Sequence, residues 1–194
     1  MKMLGKGTII EEWKKVSIPA APELEEVTLE SSTTALLILD IQNQNCKEET
    51  RPRCVESVPK IAKLLRRTRG AGASVVYSLT RSAEPKDIRE EVKPETGEPV
   101  VKSGVDKFYT TELEKILETM GTRTVILVGT SSNGAILHTA TGAAARGLDV
   151  VVPVDGMSAS DAYAEQYTAW HLVNAPGTRR RTRLTTLDAI NFSV

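Results

Sequence analysis

The chain's patterning predicts an α/β fold: a three-layer α/β/α sandwich around a mostly parallel, Rossmann-like six-stranded sheet. Two observations carry this expectation. Continuous apolar runs such as Thr34 to Asp40 and Thr124 to Val128 fit strands buried on both faces. The segments between such runs have helical spacing and end in glycine at positions 70, 121 and 147, so strand and helix alternate. With 194 residues, 40% of them apolar, the chain is long enough for one domain with a real core.

Residues 1–33 are charged, contain Pro19 and Pro22, and show no clean period. They read as an arm, with Trp13 as its anchor to the body or to a neighbouring subunit. The domain proper is expected over 34–194. Its first strand is Thr34 to Leu39, ending at Asp40. A helix follows over 55–69 through Val58, Ile61, Leu64 and Leu65, and Gly70 stops it. Ala73 to Ser78 reads as the second strand. Residues 82–97 carry Pro85, Pro94 and Gly97 among many charges and read as a loop that shapes the pocket, with a mobile lid as one reading. Pro99 to Lys102 is the third strand and Thr110 to Met120 a threonine-capped helix. Thr124 to Val128 is the fourth strand, followed by a tight turn and a helix over 134–146. Asp149 to Val154 is the fifth strand, with Pro153 marking its end. A helix over 160–174 carries Tyr163, Tyr167 and Trp170 on one face, read as core or interface. Arg181 to Leu184 is an edge strand, and 186–191 a closing helical turn.

Composition narrows the function. Lysine plus arginine and aspartate plus glutamate each number 25, so the formal net charge is zero, and neither nucleic acid nor an anionic membrane is an expected partner. No apolar run approaches bilayer length and the first residues lack a signal-peptide core, so a cytoplasmic protein is expected. In that setting Cys46 and Cys54 are expected as reduced thiols rather than as a local bridge. No G-x-G-x-x-G stretch supports a dinucleotide cofactor, and Ile41 to Thr50 holds no histidine that could begin a metal site. The expected partners are a small-molecule substrate and further copies of the chain in a homo-oligomer.

Sites in parallel sheets lie past the carboxyl ends of the strands, where strand order reverses. Asp40 ends the first strand and the Gly129 turn ends the fourth, so both fall on that edge. The segments Leu39-Asp40-Ile41-Gln42-Asn43, Lys102 with Phe108, Gly129 through Ala140, Arg146-Gly147, and Val150 to Gly156 together resemble the isochorismatase-like cysteine hydrolases. That family includes nicotinamidases, N-carbamoylsarcosine amidases and isochorismatases. The resemblance runs from about Thr34 to Ile190. It implies Asp40 as general acid/base and Lys102 as its charged partner, with Lys107 a weaker competitor. Gln42 takes a supporting, orienting role and Phe108 marks the neighbouring loop. It also implies a non-proline cis peptide between Thr130 and Ser131, whose amide would join that of Ala135 in an oxyanion hole.

The family's nucleophilic cysteine falls at position 135, where this chain has alanine. Alanine cannot form the covalent intermediate that the thiolate mechanism needs. Three readings follow. The favoured one is a natural hydrolase working without a thiol, as isochorismatases do when they cleave a vinyl ether with water. The others are an inactive ligand-binding homologue and an engineered Cys-to-Ala variant of an amidohydrolase. Ser131, Ser132 and Asn133 read as helix caps, since no histidine stands near enough in sequence to activate a serine. His138 and His171 read as structural, and the Arg179 to Arg183 run as a solvated edge or subunit contact.

Overall fold

The computed structural model describes residues 7–193; the first six residues of the expected arm lie outside them. Strands β1 (Val27–Glu30) and β2 (Thr34–Leu39) precede helix α1 (Pro52–Gly70) and strand β3 (Ser74–Thr80). Then come β4 (Val100–Ser103), α2 (Leu113–Thr119), β5 (Thr124–Thr130), α3 (Leu137–Ala145), β6 (Asp149–Pro153) and β7 (Met157–Ser158). Helix α4 (Ala162–Asn174) and strands β8 (Thr182–Thr185) and β9 (Ile190–Ser193) complete the order.

The main sheet runs β4-β3-β2-β5-β6-β8, and its pairings are parallel. The expected six strands are therefore present. The two-residue β7 adds a seventh beside β5. It was not legible in the sequence because it is too short to show a period.

Strand side chains alternate between faces, and the core divides accordingly. Leu36, Ile38, Val75, Tyr77, Ile126 and Val128 pack with Val58, Ile61, Leu64 and Leu65 of α1. Ala35, Leu37, Leu39, Val76, Val125 and Leu127 pack on the other face with Leu113 and Leu117 of α2, Ala140 and Ala143 of α3, and Leu172 of α4. Ala143 and Ala144 are buried inside the chain, so the small residues of α3 serve close approach within the fold. Tyr163, Tyr167 and Trp170 are exposed rather than core.

Two regions differ from expectation. Residues 27–30, placed in the arm, form β1 and pair in parallel with β9, which replaces the C-terminal part of the expected closing turn. Val27, Leu29 and Ile190 bury against the α1 side of the core. The loop at 82–97 is anchored: Arg69 of α1 pairs with Glu98 at 2.7 Å and Glu95 at 3.1 Å, and the Tyr77 hydroxyl donates to the Lys93 carbonyl.

Strands β2 and β5 are neighbours, with Leu39 opposite Gly129. The chain builds outward from β2 toward β3 and β4, and from β5 toward β6 and β8, so strand order reverses between them. Gly129 has φ 130°, and a Cβ there would lie 2.0 Å from the Leu39 carbonyl oxygen. Backbone cannot move aside as a side-chain tip can. Gly129→Ala is expected to cost about 3 kcal/mol or more, read as a fall in Tm or a loss of soluble protein.

Candidate active site

At the end of β2 the chain turns through Asp40 with φ 53°, a left-handed conformation that aspartate tolerates better than most residues. The turn directs its carboxylate into buried space over the sheet edge. Ser78 of β3 donates its hydroxyl to Oδ1 at 2.9 Å, and the Lys107 ammonium donates to Oδ2 at 2.7 Å. Lys107 Nζ also donates to the Gly104 carbonyl at 2.7 Å. Lys107 is completely buried and Asp40 is 5% exposed, so the pair is shut away from bulk water. Burial raises the Asp40 pKa above the ordinary aspartate value. The Lys107 charge, its hydrogen bond, the Ser78 hydrogen bond and the more distant Arg51 charge oppose that rise only in part.

The lysine facing the carboxylate is therefore Lys107, not Lys102. Lys102 is exposed and pairs with Glu84 at 2.7 Å. The cause is strand alternation. On β4, Val101 and Ser103 are buried, and Lys102 between them points the other way. Lys107 reaches the site because the loop after β4 folds back. The Ser103 hydroxyl donates to the carbonyls of Asp106 and Tyr109, and the Lys107 amide donates to Thr139 Oγ1 on α3 at 3.3 Å. Phe108 packs in the core beside α3, with the Arg146 guanidinium 4.4 Å from its ring centre. It fixes the loop and does not line the cavity.

After β5 the peptide between Thr130 and Ser131 is cis, at the position that the resemblance implies. A π-helical turn, Ser132–Ile136, follows and leads into α3. Ser131 and Ala135 face a cavity of about 630 Å³, together with Asp40, Asn45, Arg51, Thr80, Arg81 and the 103–106 turn. Gln42 is buried just outside it. Its Oε1 accepts from the Thr80 amide at 3.0 Å and from the Thr80 hydroxyl, which ties the end of β2 to the end of β3. His138 is exposed, and His171 pairs with Tyr167 on α4, so neither lines the cavity.

The cysteines also differ from expectation: Cys46 and Cys54 form a disulfide. The turn at 47–51 and the first turn of α1, begun by Pro52, bring their Cα atoms to 5.3 Å. These are the chain's two cysteines, so in this state it holds no free thiol.

The isochorismatase domain family matches residues 34–182, about three-quarters of the chain, including every cavity-lining residue. The chain belongs to the isochorismatase family. Within that family of hydrolases, the secreted isochorismatase effector Isc1 of Verticillium dahliae is 30% identical over 146 residues, covering 69% of this chain and 77% of that protein. Three solved structures are similar in fold. An isochorismatase family protein from Desulfovibrio vulgaris superposes with a TM-score of 0.72 at 24% identity, covering 81% of this chain and 95% of its own. An isochorismatase from Pseudomonas putida gives 0.73 at 17% identity, covering 96% and 100%. The N-carbamoylsarcosine amidase from Thermoplasma acidophilum gives 0.69 at 22% identity, covering 80% and 97%. These likenesses show one shared scaffold, carried by proteins described as an isochorismatase and as an amidase.

Two groups in the cavity were not singled out by sequence reasoning. Arg51 and Arg81 both line the cavity. Arg51 Nε donates to Ser160 Oγ at 3.1 Å and Nη1 to the Asn45 carbonyl at 3.3 Å, both uncharged acceptors. Arg81 forms no ion pair among the described residues. With Asp40 matched by Lys107, these guanidiniums outnumber the remaining lining carboxylate, Asp106. Nothing local marked them, and only the fold brings them to one cavity, where Arg51 is half-buried and Arg81 exposed.

Proposed function

We propose that this protein hydrolyses a small, carboxylate-bearing enol ether of the isochorismate kind, without a covalent enzyme intermediate. The observation that carries the reading is the buried Asp40 carboxyl in a cavity also lined by Ala135, the residue at which the resemblance places the family's nucleophile. Enol ethers hydrolyse by rate-limiting protonation of the terminal alkene carbon. Asp40 delivers the proton that this step consumes, and its burial, which raises its pKa, favours the acid form. The proton moves to carbon and leaves an oxocarbenium ion. Water adds to that cation and gives up a proton to the Asp40 carboxylate, and the hemiketal collapses to a ketone and an alcohol; an enolpyruvyl ether gives pyruvate. Lys107 neutralises the carboxylate that Asp40 becomes. Arg51 and Arg81 supply positive charge for substrate carboxylates. Gln42 holds the two strand ends in register.

Incubation with isochorismate should release pyruvate, while amide, ureido and nitrile compounds of similar size should give no product. Amide hydrolysis at a comparable rate would overturn the reading. The pH profile has a definite sign. The acid form of Asp40 is required, so kcat/KM should hold at low pH and fall as pH rises through the raised Asp40 pKa. The same shift acts on stability: its contribution is present below the unfolded pKa and is lost as pH rises through the folded one.

The setting is part of the proposal. Among the described residues no helix is long and apolar enough to cross a membrane. Disulfides persist in oxidising surroundings, and the relative from Verticillium dahliae is described as secreted. Both favour an oxidising compartment over the cytoplasm of the first reading. A homo-oligomer remains proposed on the exposed Trp13, Tyr163 and Trp170, which flank an apolar groove between the arm and α4.

A further inference from the structure

The Cys46–Cys54 bridge closes a loop whose two ends flank the cavity. Asn45, just before the first cysteine, lines the cavity. Arg51, three residues before the second, lines it too. Both sulfurs are fully buried in the α1 side of the core, so the bridge is an internal strut. The loop itself, from Lys47 to Thr50, is exposed. Its backbone is held by a single turn, in which the Thr50 and Arg51 amides donate to the Lys47 carbonyl. The Arg51 side chain then reaches inward, with one nitrogen on Ser160 and one on the Asn45 carbonyl. Neither partner is charged, so the guanidinium keeps its charge and its remaining N–H groups for an anionic ligand. The one covalent constraint on the segment that aims Arg51 is the disulfide.

We propose that the bridge is a positioning device for substrate recognition: it sets Arg51 over the cavity so that the guanidinium meets a carboxylate of the bound substrate. This rests on the anionic enol ether proposed above. The bridge would act mainly on binding, because Asp40 takes its geometry and its strongest charge contact from Ser78 and Lys107, outside the bridged loop, and the Arg51 charge is the smallest of the influences on it. Opening it requires a two-electron reductant such as a dithiol, which leaves two cysteine thiols and the oxidised reagent.

The test compares four proteins: wild type, Arg51→Ala, Cys46→Ala/Cys54→Ala, and the triple variant. It adds wild type opened by dithiothreitol, in case the alanine pair folds poorly. KM and kcat are read for isochorismate, and Kd is read for its saturated ether analogue, which cannot be protonated at carbon. Loss of a charge-assisted contact should raise KM and Kd about 10-fold or more in Arg51→Ala. Opening the bridge should raise them to a similar degree with kcat within about threefold of wild type, since a misplaced binding group weakens recognition without touching the acid. In the Arg51→Ala background, loss of the bridge should add little, because its effect runs through that side chain. Additive effects, or an unchanged Kd on opening the bridge in folded protein, would overturn the inference and leave the enol-ether reading standing. Absence of pyruvate with the Kd pattern intact would overturn the enol-ether reading alone.

Discussion

Asp40→Asn should reduce enol-ether turnover by about 10²- to 10⁴-fold, the range that a positioned acid contributes. The substitution is close to isosteric. Asparagine tolerates the left-handed backbone at this position, and its carbonyl oxygen can still accept from Ser78. What it lacks is a transferable proton. It also leaves the Lys107 charge buried without a counter-ion, so stability should fall as well. The rate must therefore be expressed per folded molecule, with circular dichroism beside the pyruvate assay. A folded Asp40→Asn protein with unchanged kcat/KM would remove Asp40 from the mechanism.

The two lysines give the second large effect. Lys107→Met strips the counter-charge from a buried carboxylate, for which about 3–5 kcal/mol of stability loss is expected. Lys102→Met breaks an exposed pair with Glu84, where about 0–1 kcal/mol is the usual scale. Activity should divide in the same way. With Lys107 gone, Asp40 loses the neighbour that pulls its pKa down, so the falling limb of the pH profile should move to higher pH in whatever fraction still folds. Lys102→Met should keep the wild-type profile. Urea titration for stability and pH-dependent kcat/KM for activity check both variants. A Lys102→Met protein with a shifted limb would restore the assignment that the resemblance implied.

That contrast shows what the sequence could and could not convey. Asp40 and the Gly129 turn were legible because each ends an apolar strand, and strand ends in a parallel sheet gather at one edge. The partner lysine was misassigned because two lysines lie five residues apart around a strand end. Period-two alternation on β4, with Val101 and Ser103 inward, was the available signal against Lys102. The fold-back that brings Lys107 to Asp40 depends on Ser103 and Thr139 bonds that no spacing announces. The disulfide was missed for a similar reason. Reduced thiols were expected from the cytoplasmic setting, and the turn at 47–51, which brings the two cysteines together, has no signal in their spacing. The pairing of β1 with β9 joins segments more than 150 residues apart, so no local pattern in either could reveal it. Arg51 and Arg81 are ordinary charged loop residues until the fold turns them toward a shared cavity.

The left-handed turn at Asp40 has an evolutionary consequence. Glycine and asparagine can occupy that conformation at little cost, whereas branched or bulky residues cannot. Asparagine or glycine here would therefore spare the backbone while stranding the buried Lys107 ammonium, so a lineage losing the carboxylate would be expected to lose that lysine with it. Glutamate, the nearest replacement by charge, would have to accept the same constrained backbone with a longer arm. In this scaffold the carboxylate and the ammonium are tied to a common fate, although 67 residues separate them along the chain.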